Sequence, residues 1–189
     1  MNREELKELI KSGDYNRFTD YDISRLCKKL CEDSNRQKII CVEELCEFTQ
    51  EVTRCLRGRG DEIGVREELA DAFLVLKCIG HMINPEYGII DLDNVKYFEK
   101  HRDLNRLAVD ANATKKKLFE NMDFVFCIMS LTWISYDKDP MFDEQTIRIM
   151  FDKLINIMYL LRIEYSEIRE YINVKADRQY KKLKDGTVL

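Results

Sequence analysis

Two short acidic clusters hold the residues of this chain best suited to chemistry: "EELCE" at Glu43–Glu47 and "ELAD" at Glu68–Asp71. Both lie in stretches with helical apolar spacing, so carboxylates three or four residues apart share one helical face. Like charges that close repel, and a fold keeps four of them together most readily where a cation sits between them. Hard oxygen ligands from two helices suit Mg²⁺, or Mn²⁺, better than zinc or copper. Across a helix pair, Glu44 and Glu47 would face Glu68 and Asp71, a recurrent construction for carboxylate metal sites. An ion held there bridges polyphosphate oxygens and offsets charge on a leaving phosphate, so the reaction class implied is phosphoanhydride hydrolysis. The basic end of the chain, Lys175 to Lys184, could supply fixed cations for the phosphates.

The elements that must position these groups read as helices throughout. Apolar spacing predicts a first helix over Arg3–Lys11, ending near Gly13, and a second after Asp20 with Ile23, Leu26, Cys27 and Leu30 on one side. Ser34 and Gln37 have the spacing of a capping box, and the helix that follows runs to about Leu56. Its apolar stripe leaves Glu43, Glu44, Glu47 and Glu51 on the neighbouring face. "RGRGDEIG", with three glycines, breaks the chain before a helix from about Val65 to Met82. That helix is acidic for one turn and then apolar around most of its circumference, which marks it as central to a core. After a loop around Pro85, helices are expected over Asn94–Ala111 and Thr114–Ser135, with a second break around Pro140. One long last helix starts at about Asp143 and stops at Gly186. No stretch alternates with a period of two, so the fold class is all-α.

Composition narrows the rest. Two prolines and seven glycines, against 45% hydrophobic and 35% charged residues, favour long helices in a single domain over 1–189. A net charge of −4 argues against a dedicated nucleic-acid binder. The first residues are too charged for a signal peptide, and the longest apolar run, Phe124–Ile134, is too short to span a bilayer. No membrane partner and a soluble, cytoplasmic protein are therefore expected. Seven cysteines, an odd number, lie mostly at helical apolar positions and read as reduced, buried thiols. Cys27 and Cys31 are spaced i,i+4, but no second cysteine pair or nearby histidine completes a zinc site. With only His81 and His101, a nucleophile–histidine machine is disfavoured.

"EELCE", a Gly-containing loop, then "ELAD" and an apolar run together resemble the EExxE…ExxD signature of the MazG-like all-α NTP pyrophosphatases. Late in the chain, "NVKADRQ" resembles the N-x-K-x-x-R segment of many members. The resemblance covers residues 35–80 and 172–186. It implies a helical bundle of MazG-like type that uses Mg²⁺ to cleave a nucleoside triphosphate (NTP or dNTP) to the monophosphate and pyrophosphate. Carried over residue by residue, Glu44, Glu47, Glu68 and Asp71 match the metal positions, with Glu43 in support. Lys175 and Arg178 match phosphate-contacting positions, and Asn173 does so more weakly. Glu47 is the carboxylate expected to orient the attacking water. A metal-binding core over 20–83 would then be followed by additional helices over 94–186. "ENMDFVFCI" from Glu120 partly repeats "ELADAFLVL", so a degenerate internal duplication, giving a pseudo-dimer in one chain, stands beside a homodimer of chains.

Simpler accounts compete with each of these. The acids could form a solvated helix face paired with Arg54, Arg66 or Lys77, worth a few tenths of a kcal/mol per pair. The basic last turn could simply complement the helix dipole. Tyr15, Phe18, Tyr21, Trp133 and Tyr136 could stack on a base, but aromatics mostly fill cores. A non-catalytic helical interaction protein would keep the fold without turnover.

Overall fold

The structure, a computed structural model, describes residues 2–32, 34–84, 90–106, 115–123 and 144–186. Among them it contains eight helices and no strand, as the all-α reading expects. These are α1 (Arg3–Ser12), α2 (Asp20–Leu30), α3 (Ser34–Leu56), α4 (Glu62–Ile83), α5 (Val95–Arg106), α6 (115–123), α7 (Glu144–Leu160) and α8 (Tyr165–Lys184). The loop at Pro85, Cys127, the apolar run Phe124–Ile134 with Trp133, Tyr136 and the break at Pro140 lie outside the described residues. None of the described helices is long and apolar enough to cross a membrane.

The centre is α4. Its residues from Ala72 to His81 are all buried, and it packs against α1, α2, α3, α7 and α8. Phe73 meets Phe151 of α7 and Phe98 of α5 edge-to-face, at ring separations of 5.2 and 6.4 Å. The buried Lys77 ammonium ion-pairs with Asp20 Oδ1 at 2.6 Å and donates to the Ile90 carbonyl at 2.6 Å. That pair anchors both the start of α2 and the stretch before α5 to the core, because neither charge is stable there without the other.

Two boundaries differ from the sequence reading. The first is the start of α4, which comes at Glu62 rather than near Val65. Asp61 caps it by accepting from the Ile63 N–H at 3.0 Å. Gly64, read as part of the breaker, is helical and buried instead. A Cβ there would meet an Arg3 guanidinium nitrogen at 2.5 Å, so the missing side chain is what lets Arg3 lie against the first turn. From that position Arg3 donates to Glu51 at 2.8 Å and reaches Asp61 at 3.5 Å, tying α1 to the α3–α4 hairpin.

The second difference is larger. The single last helix is in fact two, α7 and α8, separated at residues 161–164. The Arg162 N–H bonds the Tyr159 carbonyl and the Ile163 N–H bonds the Met158 carbonyl, both at 3.0 Å, with Arg162 at φ 60°. This is the hydrogen-bond pattern of a Schellman stop, with arginine where glycine is usual, and Ile163 buried behind it. No glycine or proline marked the break. Since an L side chain in the left-handed region is strained, Arg162→Gly is expected to stabilise the fold by about 1 kcal/mol. A rise in melting temperature of roughly 2–4 °C would register it; a fall would mean the Arg162 side chain contributes more than its backbone costs.

The break lets α8 fold back along α4, and the segment between α1 and α2 holds it there. Asn16 donates to Asp177 at 2.6 Å, the Phe18 N–H donates to Asn173 Oδ1 at 3.2 Å, and Arg169 donates to the Phe18 carbonyl at 2.5 Å. Tyr15 bonds Glu170, and the Phe18 ring stacks on Tyr180 at 5.0 Å.

Candidate metal centre

Helices α3 and α4 form a hairpin through residues 57–61, which sets the acidic face of α3 beside the first turns of α4. One carboxylate oxygen each from Glu44, Glu68 and Asp71 lies within 4.8 Å of the others. These are three of the four expected metal positions. Glu47, the fourth, is exposed and stands outside that group, although its charge acts on both Glu44 and Glu68. Glu43 is exposed.

Lys175 reaches the acids across 104 residues of sequence. Its ammonium donates to Asp71, and to Glu67 Oε1 at 3.1 Å. Arg178 makes no hydrogen bond or ion pair among the described residues, yet its charge is felt at Asp71. Asn173 is placed differently: its carbonyl oxygen accepts from Phe18 and Arg169, so it holds the segment between α1 and α2 rather than the acidic cluster. Glu120 and Asp123, the possible second unit, are exposed on α6, where Glu120 lies 3.9 Å from Lys116.

The bases that the solvated-face account names lie on other acids. Arg54 is on Glu51 at 2.5 Å, Arg66 on Glu167 at 2.8 Å, and Lys77 on Asp20. Among the described residues, none of the three pairs with Glu44, Glu47, Glu68 or Asp71. Glu67 is the site residue that the sequence reading missed. It lies four residues before Asp71, on the same side of α4, and that spacing was the available signal.

A cavity of about 410 Å³ opens onto the cluster, with Glu44, Asp71 and Lys175 in its wall. Leu26, Leu30, Ile40, Leu74 and Val75 make its apolar lining, and the buried amide of Gln37 lies at its edge. Tyr15, Phe18 and Tyr21 are not among the lining residues. Compared with family models, curated proteins and solved structures, the chain matches none.

Crowding and burial leave the acids reluctant to ionise. Burial, then the charges of Asp71 and Glu47, push the Glu44 carboxyl up to about 8. Burial and Asp71 push Glu68 up to about 7. Burial also raises Asp71, while Lys175 pulls it back. The folded chain therefore keeps protons that an unfolded chain has released, so cation-free stability falls as pH rises from about 4.5 to about 8. A bound divalent cation must displace those protons. Its apparent affinity should accordingly rise ~10-fold or more from pH 6 to pH 8, with proton release on binding. Calorimetric titration in two buffers of different ionisation enthalpy checks both; a pH-independent affinity would remove Glu44 and Glu68 from the ligand set.

Proposed function

We propose that this protein hydrolyses nucleoside triphosphates, NTP or dNTP, to the monophosphate and pyrophosphate, with a divalent cation held by Glu44, Glu68 and Asp71. The observation that carries this reading is the meeting of three carboxylates beside one cavity, with Glu44, Asp71 and Lys175 in its wall. The donor set fits the ion: all three ligands are hard oxygens, and burial, then the crowding of like charge, raises the proton affinity of Glu44 and Glu68 although Lys175 pulls it back. Mg²⁺ suits such a site best, and Mn²⁺ is compatible with it. When bound, the ion supplies neutralising charge to the polyphosphate oxygens.

The chain's own residues do the remainder. Lys175, a point charge with three donors, contacts the phosphates, and Arg178 adds a planar fork from the next turn of α8. The apolar walls from Leu26, Leu30, Leu74 and Val75 exclude water around the nucleoside end. Glu47, exposed beside the cluster, accepts a proton from the water that attacks the α-phosphorus. The bond from that phosphorus to the bridging oxygen breaks, and pyrophosphate leaves. The likeness of the two acidic motifs to the MazG-like signature supports the same reaction.

Pyrophosphate release from a panel of NTPs and dNTPs, with Mg²⁺ and with EDTA, tests this reading. Release that requires the ion is expected, and its ranking names the base and sugar. A folded protein that releases nothing from any nucleotide would overturn it in favour of a non-catalytic helical interaction protein.

A further inference from the structure

Three thiols meet between α2 and α4 although their positions are far apart in sequence. Cys27 lies in the last turn of α2 and Cys31 caps its end, and Cys78 comes up against Cys31 from α4. The Cys31 thiol donates to the Cys78 carbonyl at 3.3 Å, and the neighbouring Cys27 and Cys31 push the Cys78 thiol well above the usual thiol range. Cys27 and Cys78 are 0% and 2% exposed, while Cys31 is half-buried and within reach of solvent. Cys27 and Cys78 also line the cavity that holds Glu44, Asp71 and Lys175.

A core that needed only small apolar groups here would be served by alanine, without sulfur that oxidises. A preformed metal site is not what the cluster offers. Among the described residues, the carboxylate trio alone gathers three ligand atoms within 4.8 Å of one another. Two cysteines in contact across the α2–α4 pair, one of them accessible, have a different reaction open to them.

We propose that Cys31 and Cys78 form a redox-responsive pair that closes into an α2–α4 disulfide when the protein meets a low-molecular-weight disulfide such as oxidised glutathione. Cys31 is the attacking group, because it is accessible and the neighbouring Cys78 thiol holds it below the usual thiol range. Its thiolate attacks one sulfur of the small disulfide, forming a mixed disulfide and expelling one small thiolate, which takes up the proton. The Cys78 sulfur, as it gives up its proton, then attacks Cys31 Sγ and displaces the second small thiol. Two protein thiols are oxidised by two electrons and one small disulfide is reduced to two thiols. The new bond ties α2 to α4, both of which contribute residues to the cavity lining. That it slows catalysis rests on the function proposed above; the bond itself does not.

Reduced full-length protein would be incubated with oxidised glutathione, alkylated, and mapped by peptide mass spectrometry without reductant. The expected result is a monomer with Cys31 joined to Cys78, melting about 5–10 °C higher than the reduced form. Dithiothreitol should reverse both changes. Cys31→Ser should show neither, and Cys46→Ser, which removes an exposed thiol outside the cluster, should show both. A glutathione adduct that stays on Cys31, a link that omits Cys78, or an oxidised form that melts no higher would overturn the proposal. Pyrophosphate release slowed at least ~3-fold by oxidation would extend the effect to turnover. The mapping and melting are read without nucleotide, so the pair and the proposed reaction fail independently.

Discussion

Glu44→Gln is expected to remove Mg²⁺-dependent pyrophosphate release while making the cation-free fold more stable. Glu44 is half-buried and has no ion pair or hydrogen bond among the described residues, and Asp71, Glu47 and Glu68 all press on it with like charge. Glutamine keeps the shape and removes the charge. The gain should be about 1 kcal/mol at pH 8.5 in EDTA, because a buried charge without a partner costs more than a neutral isostere. It should shrink as pH falls toward 5, since the wild-type carboxyl is then protonated in the folded chain and approaches neutrality in the unfolded one. Release should fall ~100-fold or more, the loss of a direct ligand exceeding what neighbouring positions usually cost. Thermal melts in EDTA at several pH values, alongside the release assay, read both effects. A solvated surface glutamate would move neither quantity, and a structural one would lose stability; only a cation ligand trades one for the other. Wild-type release in this variant would remove Glu44 from the site.

The parts legible in the sequence were those set by local pattern. The apolar run from Ala72 to Gly80 marked α4 as central, and the spacing of Glu44, Glu68 and Asp71 was enough to bring them together. What escaped notice depends on contacts between distant segments. Gly64 looked like a breaker because nothing in its neighbourhood says that Arg3 will occupy the space of its missing side chain. The stop between α7 and α8 uses Arg162 in a conformation that composition does not advertise. Without that stop, Lys175 would not return to α4. The same limit applies to the thiols: Cys27 and Cys31 are neighbours by spacing, while Cys78 joins them only through the crossing of α2 and α4. Arg66 and Lys77 have acidic neighbours in sequence, yet Glu167 and Asp20 reach them from distant segments, while Arg54 stays with Glu51 on its own helix.

Lys175→Ala is expected to separate stability from turnover. The Lys175 side chain is 13% exposed, and its partners Glu67 and Asp71 are 15% and 17% exposed. Burial alone would pull the ammonium down, but Asp71 and Glu67 more than offset this and hold it above the usual lysine value. The ion pair thus stands in for the cation: it is the positive charge that makes the acidic group tolerable when no metal is bound. Removing it leaves Asp71 and Glu67 facing Glu44 and Glu68 with only the charge of Arg178 on Asp71 to offset them, which should cost ~3 kcal/mol and lower the melting temperature by roughly 6–12 °C in EDTA. Saturating Mg²⁺ should restore most of that loss, and its stabilising shift should be larger than in the wild type, because the ion now does the work of two charges. Release should not recover with it, since the phosphates have lost their fixed cation on α8. Parallel melts and release assays across a Mg²⁺ series check this. A variant that melts like the wild type in EDTA would show that the pair carries no stability, and one rescued in both melting and release would show that Lys175 has no part in holding substrate.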